Sequence, residues 1–375
     1  MKKKSLTRDL VWVVSVGLAL RLILWNLFMS LYGAHAVRHV ETWLYTGVMS
    51  HKLEDYLALG KLDPTYWILG TIGYLLPQQY HLWGVEACGI VLSTLTAAML
   101  YMLVRKLYGG EAGFCAGILY ASMVIPVLLS VAGFTHDHIQ LTLILASIYL
   151  FILFLEGGET VYIAAYFIVL VLGYFINISI LVSILVSAII AAGKFSKKWY
   201  GVSYKLFFAV VISGFFVATF SVVPEYVGKI VEELPQGREG SADLMRVSFA
   251  SFFLPYNILF ILLPYGLYRA YKRGDIIGLS LFLCGLSLST QMMRGLRITD
   301  LGFATIIGLA LVDLQKKESM PVLGYRVHAL RFYLSVGFLL FILLNTAYAS
   351  GYAILFLTFG AALALGVEKT VRKTK

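Results

Sequence analysis

The chain has 375 residues, of which 60% are hydrophobic and 13% are charged, and its net charge is +10. Because a soluble domain carries roughly 25% charged residues, this composition excludes a soluble protein and indicates a polytopic membrane protein. Lysine and arginine residues are concentrated in short loops on one predicted side of the membrane. That is the pattern of cytoplasmic loops, so the positive charge indicates orientation and argues against nucleic-acid binding.

Apolar runs predict an all-α helix bundle of about 12 spans with both termini in the cytoplasm. The first span, residues 10–31, contains Arg21, which must face protein, water or lipid headgroups. The apolar stretch 161–192 is too long for one span, and the charge distribution favours two short spans with a turn near Asn177. The other predicted spans are residues 82–104, 113–129, 139–155, 206–223, 249–268, 276–293, 298–314, 332–344 and 349–367.

Two long loops are predicted on the outer face, at about residues 32–81 and 224–248. The sequence shows no soluble C-terminal domain, so residues 1–375 are expected to form one transmembrane domain in contact with membrane lipids of the cell membrane. Neither a Walker A sequence nor a Rossmann glycine pattern is present, so no nucleotide-binding site is predicted.

The most unusual polar motif is His136-Asp137-His138, between the apolar runs 113–129 and 139–155. Ionisable groups at membrane depth are costly and usually functional. Asp137 offers a hard oxygen ligand for a divalent cation, and the imidazoles could be metal ligands, proton carriers or hydrogen-bond donors to phosphate. The alternative is a solvated loop that happens to contain these residues.

Other functional side chains are predicted on the same outer face. Carboxylates with histidines can hold a divalent cation, and arginine forks suit phosphate. This combination suits a lipid-phosphate substrate that reacts at the outer membrane surface. The residues are Glu41, His136, Asp137, His138, Glu232, Glu233, Arg294 and Arg297.

Two early segments carry the first part of a family resemblance. HVETWLYTG, in the first outer loop, places Glu41 before an aromatic pair. KLYGGEAGFCAGILYASMVIPVLLSVAGFTHDH ends a predicted span in a motif whose single carboxylate is Asp137.

Two later segments complete the resemblance. KIVEELPQ contains Glu232 and Glu233, and MMRGLRITDLGFATIIGLAL contains Arg294 and Arg297. In order and predicted side, the four segments resemble the GT-C glycosyltransferase superfamily, most closely the membrane region of the STT3/AglB/PglB oligosaccharyltransferases. The chain departs from that group because it lacks the soluble domain with the W-W-D-Y-G motif, has fewer spans, and carries H-D-H in place of two acids. The VETWLY segment is also similar to the metal-free C-mannosyltransferase branch.

The resemblance implies a lipid-linked sugar donor, on a polyprenyl phosphate or diphosphate, and a protein, lipid or glycan acceptor. Asp137, with Glu41, His138 and Glu232 or Glu233, would hold Mg²⁺ or Mn²⁺, which would neutralise charge on the leaving phosphate. Glu41 would also orient or deprotonate the acceptor.

The donor phosphate has its own predicted ligands. Arg297, or secondly Arg294, would clamp it. In a metal-free site His136 and His138 would hydrogen-bond it instead.

The competing hypothesis is a polytopic transporter or a non-catalytic membrane assembly subunit. A transporter usually carries its charged groups near the bilayer midplane. Here they are predicted at helix ends on one side, which favours the enzyme.

Overall fold

A computed structural model describes residues 2–32, 75, 77, 80–131, 135–176, 178–199, 254–289, 294–315, 320–322 and 325–327. Its α-helices are α1 (Lys2–Tyr32), α2 (His81–Tyr108), α3 (Gly110–Ser122), α4 (Val124–Val131), α5 (Thr135–Gly157), α6 (Thr160–Ile176), α7 (Leu181–Trp199), α8 (Leu263–Arg273), α9 (Ile276–Ser289) and α10 (Arg294–Gln315). Two 3₁₀ segments are Ile178–Ile180 and Leu254–Leu262, and the strands are β1 (Met320–Val322) and β2 (Tyr325–Val327).

Several helices in the described part of the chain have the length and composition of membrane spans. Four of its helices are long and apolar enough to cross a bilayer, and they contain the segments Leu6–Asn26, Glu86–Tyr108, Asp137–Gly157 and Gly295–Gln315. The pair α3 and α4 would make a fifth span if the bend between them lies inside the membrane. The chain is therefore a multi-pass membrane protein with the predicted helical architecture, while the total of about 12 spans stays a prediction.

The chain divides into two compact units. The first contains α1 to α4, α5 as far as Ile139, residues 255–262 and α10 from Gly308. The second contains α5 from Gln140, α6 to α9 and α10 as far as Ile307.

Helices α1 and α2 of the first unit pack antiparallel. Residues later in α1 contact residues earlier in α2, as shown by the pairs Asp9–Arg105, Arg21–Ser93 and Trp25–Glu86. Helix α3 packs on both helices through Gly117, where a Cβ atom would lie 2.9 Å from Tyr101 Cβ and 3.1 Å from Val13. Only glycine allows this approach of the three helices without displacing a side chain.

The predicted span 113–129 is broken, which corrects the expectation of one continuous helix. Helix α3 ends at Ser122, Met123 has an extended backbone, and α4 leaves at an angle of 52°. Pro126 contributes to the break because a proline has no backbone N–H and cannot donate to the carbonyl one turn earlier.

The predicted division of residues 161–192 into two helices with a turn near residue 177 is confirmed, while their assignment as membrane spans stays a prediction. Helix α6 ends at Ile176, and α7 starts at Leu181 after the 3₁₀ turn. A Cβ atom on Gly173 would lie 2.6 Å from the Ile180 side chain, so a glycine at this position allows the turn to fold back tightly.

Helices α9 and α10 of the second unit are joined by close glycine contacts. A Cβ atom added to Gly285 would lie 2.2 Å from the Thr299 backbone nitrogen, and one added to Gly302 would lie 2.2 Å from the Phe282 backbone nitrogen. The backbones therefore touch along a surface that larger residues cannot occupy.

The structure also differs from the predicted boundaries near these helices. The predicted span 249–268 contains a 3₁₀ segment followed by α8, and α9 covers residues 276–289 of the predicted span 276–293, whose remaining residues are not among those described. After α10, the strands β1 and β2 pair antiparallel in an otherwise helical architecture, with Met320 opposite Val327. The predicted spans 206–223, 332–344 and 349–367 lie outside the described residues.

Candidate functional site

The motif His136-Asp137-His138 forms the first turn of α5 rather than a solvated loop. Asp137 is 4% exposed and His138 is fully buried. The hydroxyl of Thr96 donates to the backbone carbonyl of His138 over 3.3 Å. Because Thr96 lies near the middle of α2, the motif sits beside the middle of that helix. Of His136, only the helical backbone position is described.

The Arg21 side chain faces other parts of the protein. This is one of the three environments that the sequence predicted for an arginine inside a membrane span. Its side chain is fully buried, and Nη1 donates to the carbonyls of Gly17 and Ala121, each at 2.9 Å. Nη2 donates to Ser93 Oγ at 2.7 Å, and that hydroxyl donates to the Pro126 carbonyl at 3.2 Å. All these acceptors are neutral oxygen atoms.

This network stabilises the break between α3 and α4. The last carbonyls of a helix have no partner within the helix. Ala121 lies one residue before the end of α3, and Arg21 supplies a donor to its carbonyl across 100 residues of sequence. Arg21 and Ser93 thus bind carbonyls on both sides of the bend that leads to the motif in α5.

A second buried acid, Glu86, was missed by the sequence analysis. It is 1% exposed in the first turns of α2 and accepts a hydrogen bond from the indole nitrogen of Trp25. The sequence feature that could have identified Glu86 is a single carboxylate at the edge of an apolar run. Trp25 lies near the end of α1 and Glu86 near the start of α2. Their hydrogen bond therefore joins the two helices near the ends that the predicted outer loop 32–81 connects.

In the second unit, Arg297 lies in the first turn of α10 and is 5% exposed. Asp300, which the sequence analysis did not single out, is fully buried one turn later on the same helix. Residues three apart on a helix share a face, so a buried cation and a buried anion occupy neighbouring positions. Arg294 begins α10, and its side chain is not among those described.

The three other predicted catalytic residues, Glu41, Glu232 and Glu233, lie outside the described residues. In the part of the chain that is described, no group of three or more His, Cys, Asp or Glu side chains could hold a metal ion. Asp137 and His138 are consecutive in a helix, so they do not face each other. The Mg²⁺ or Mn²⁺ site therefore stays a prediction.

Comparison with known proteins gives one family match. Residues 64–220 match the model described as dolichyl-phosphate-mannose-protein mannosyltransferase. The matched stretch is less than half of the chain and contains α2 to α7, including Asp137 and His138. No protein of curated function matches the chain. The family match supports a membrane glycosyltransferase of the GT-C superfamily, and the closer resemblance to oligosaccharyltransferases stays a prediction.

Proposed function

We propose that this protein transfers a sugar from a polyprenyl-phosphate carrier to an acceptor at the outer face of the membrane. The observation that carries the proposal is that the family match includes the buried pair Asp137 and His138. The described family takes mannose from dolichyl phosphate and acts on protein, so a mannosyl polyprenyl phosphate is the first donor to test. A glycan on a polyprenyl diphosphate, which the oligosaccharyltransferase resemblance implies, is the second.

The reaction forms a bond from an acceptor oxygen or nitrogen to the anomeric carbon of the sugar and breaks the bond from that carbon to the carrier phosphate. The bonding electrons leave with the phosphate, and the acceptor gives up a proton. Glu41 is the proposed base for that proton, because it belongs to the predicted first outer loop, on the side where the acceptor is proposed to bind.

Asp137 is the proposed centre of the charge chemistry. Its side chain is only 4% exposed in the first turn of α5, and ionisable groups inside membrane helices are usually functional. If a cation binds here, Asp137 would hold it together with Glu41 and one of Glu232 and Glu233, since His138 points elsewhere on the helix. Bound Mg²⁺ or Mn²⁺ would offset negative charge on the phosphate leaving group.

Arg297 is the proposed ligand of the donor phosphate. Its guanidinium can make two parallel hydrogen bonds to phosphate oxygens, which a lysine ammonium cannot do. Arg297→Lys should therefore weaken donor use although the positive charge remains. A lysine variant with the full rate would remove this role.

The decisive experiment uses the purified full-length protein in proteoliposomes with either donor and a membrane-protein extract as acceptor. Mass spectrometry of the lipid-linked sugars and of the proteins should show loss of mannose from the monophosphate carrier and its gain on acceptors. Glycan transfer from the diphosphate carrier alone would identify the oligosaccharyltransferase-like reaction. Movement of a donor across the bilayer without chemical change would instead support the transporter.

A further inference from the structure

A cavity of about 730 Å³ lies at the end of the first unit that is distant from Trp25 and Glu86. It opens at the start of the candidate span Leu6–Asn26 and at the end of the span Glu86–Tyr108, with Val312 near the end of a third. The cavity is therefore at the level where lipid headgroups meet the protein. The charge distribution predicts that this is the cytoplasmic leaflet.

The cavity is shaped by the turn between α2 and α3. Gly109 has a φ of 99°, a conformation that favours glycine, and its carbonyl accepts the Gly113 N–H at 3.0 Å. A Cβ atom on Gly113 would lie 2.8 Å from the Tyr101 carbonyl oxygen, so α3 rests directly on α2. This close packing fixes the position of Glu111, in the first turn of α3, on the cavity wall.

The charges on the wall are divided between two places. On one side, Asp9 lies between two arginines, 3.6 Å from Arg8 Nε and 3.5 Å from Arg105 Nη1. With Arg105, which contacts Asp9 but does not line the cavity, this group carries a net positive charge; Arg8 is the arginine that lines the cavity, and its side chain is 75% exposed. The carboxylate of Glu111 provides a negative charge elsewhere on the wall.

Aromatic and apolar side chains complete the lining. They are Trp12, Tyr108, Ala112, Phe114 and Val312. Trp12 is 57% exposed and its neighbour Val11 is 56% exposed, so the edge of the cavity continues into an apolar surface of α1. Acyl chains can follow that surface, whereas a soluble metabolite would gain nothing from it.

We infer that this cavity binds the headgroup of an aminophospholipid of the phosphatidylethanolamine class. The arginine side of the wall binds the phosphate, and Glu111 accepts hydrogen bonds from the primary ammonium. The aromatic rings add favourable contact with the ammonium. A phosphatidylglycerol headgroup has no ammonium for Glu111, and phosphatidylcholine has no N–H donor.

The test is native mass spectrometry of the full-length protein, titrated with phosphatidylethanolamine, phosphatidylcholine and phosphatidylglycerol of the same acyl chains. Phosphatidylethanolamine should remain bound at the lowest concentration. Arg8→Ala and Glu111→Gln should each weaken its binding by roughly three- to tenfold. Glu111→Gln should also remove the preference for ethanolamine over choline.

The matched controls are Lys272→Ala and Glu159→Gln. Both positions are on the same predicted membrane face as the cavity and far from its lining residues in sequence. Both should leave binding unchanged. Equal losses in the controls and in the cavity variants, or a preference for phosphatidylglycerol in the wild type, would overturn the inference.

A mapping experiment keeps the inference testable if a variant fails to fold. A phosphatidylethanolamine with a photoreactive group near its headgroup should label wild-type peptides that contain Trp12 or Phe114. Labelling confined to other peptides would contradict the site. Neither readout depends on glycosyl transfer, so failure of the proposed function would leave both results interpretable.

Discussion

Buried ionisable residues in the described helices have contacts of two kinds. Arg21 binds neutral oxygen atoms through its side chain and stabilises a bend, whereas Asp137 and His138 are buried in the first turn of a helix, where the His138 backbone carbonyl accepts a hydrogen bond from Thr96. The sequence identified all three because each interrupts or borders an apolar run. It missed Glu86 and Asp300, although both carry the same signal.

Loss of the Arg21 side chain should destabilise the first unit. Arg21→Met would leave the Ala121 carbonyl and the Ser93 hydroxyl with fewer partners, and each unsatisfied buried group costs about 1–3 kcal/mol. Arg21→Lys should fall between methionine and wild type, because one ammonium cannot reach all the acceptors. The measurement is thermal unfolding in detergent by tryptophan fluorescence. Lys272→Met, at an exposed position, is the control. An Arg21→Met variant as stable as this control would show that the network contributes little.

Replacement of Asp137 by asparagine tests its catalytic role. The amide keeps the shape and is less costly to bury than a carboxylate, so thermal stability should be retained. Transfer from the lipid-linked donor should fall by at least about 10²-fold, as expected when a charge-stabilising group is lost.

The comparison variant for Asp137 is Glu159→Gln, an exposed carboxylate that should retain the full rate. Each protein is assayed with and without EDTA. Wild-type transfer that EDTA abolishes supports a cation at Asp137, and EDTA-resistant transfer favours the metal-free mechanism. An asparagine variant with the wild-type rate would remove Asp137 from catalysis.

At the scale of elements, local pattern predicted some features and missed others. Length and charge alone gave the two short helices α6 and α7 with their turn near Asn177. The break between α3 and α4 was not predicted, although Pro126 was visible, because its stabilising partners Arg21 and Ser93 are distant in sequence. The backbone contact of α9 with α10 through Gly285 and Gly302 was not predicted either, because hydropathy does not report contacts between helices.

The contact between α9 and α10 should tolerate no side chain at Gly302. Alanine would favour the helix locally by about 1 kcal/mol. Its Cβ atom, however, would lie 2.2 Å from the Phe282 backbone nitrogen, and overpacking of this kind typically costs 1–3 kcal/mol. Gly302→Ala should therefore lower the unfolding temperature, and Gly302→Leu should lower it further or prevent folding.

The matched control is Gly157→Ala, also in a helix of the second unit, where the nearest atom to an added Cβ is 3.9 Å away. It should be neutral or slightly stabilising. If Gly302→Ala is as stable as Gly157→Ala, the two helices are not in backbone contact.

For the whole molecule, composition was sufficient to predict a multi-pass helical protein, because burial of so many apolar residues requires a bilayer. Orientation rests on the distribution of lysine and arginine, and no contact within the described helices tests it. The position of the predicted outer loops relative to Asp137 also could not be derived, since Glu41, Glu232 and Glu233 lie in segments without a regular hydrophobic period.

Orientation can be measured by cysteine labelling. In a background with Cys88, Cys115 and Cys284 replaced, a cysteine at position 232 should react with an impermeant maleimide in intact cells. A cysteine at position 197 should react only after permeabilisation, as should a control cysteine at position 159. Positions 197 and 232 reacting from the same side would contradict the predicted topology.

Helix α6 also has a consequence for the surrounding lipid. Its 17 residues extend about 25 Å, which is less than the roughly 30 Å hydrocarbon core of a typical bilayer. Its outward side chains are well exposed, among them Val161 at 61% and Phe175 at 63%. Because a short helix cannot correct the difference by tilting, we expect the membrane beside α6, a predicted span, to become thinner. This hydrophobic mismatch should make the protein more stable in liposomes of 14-carbon lipids than in those of 20-carbon lipids, and it shortens the distance between the two membrane surfaces along that side of the molecule.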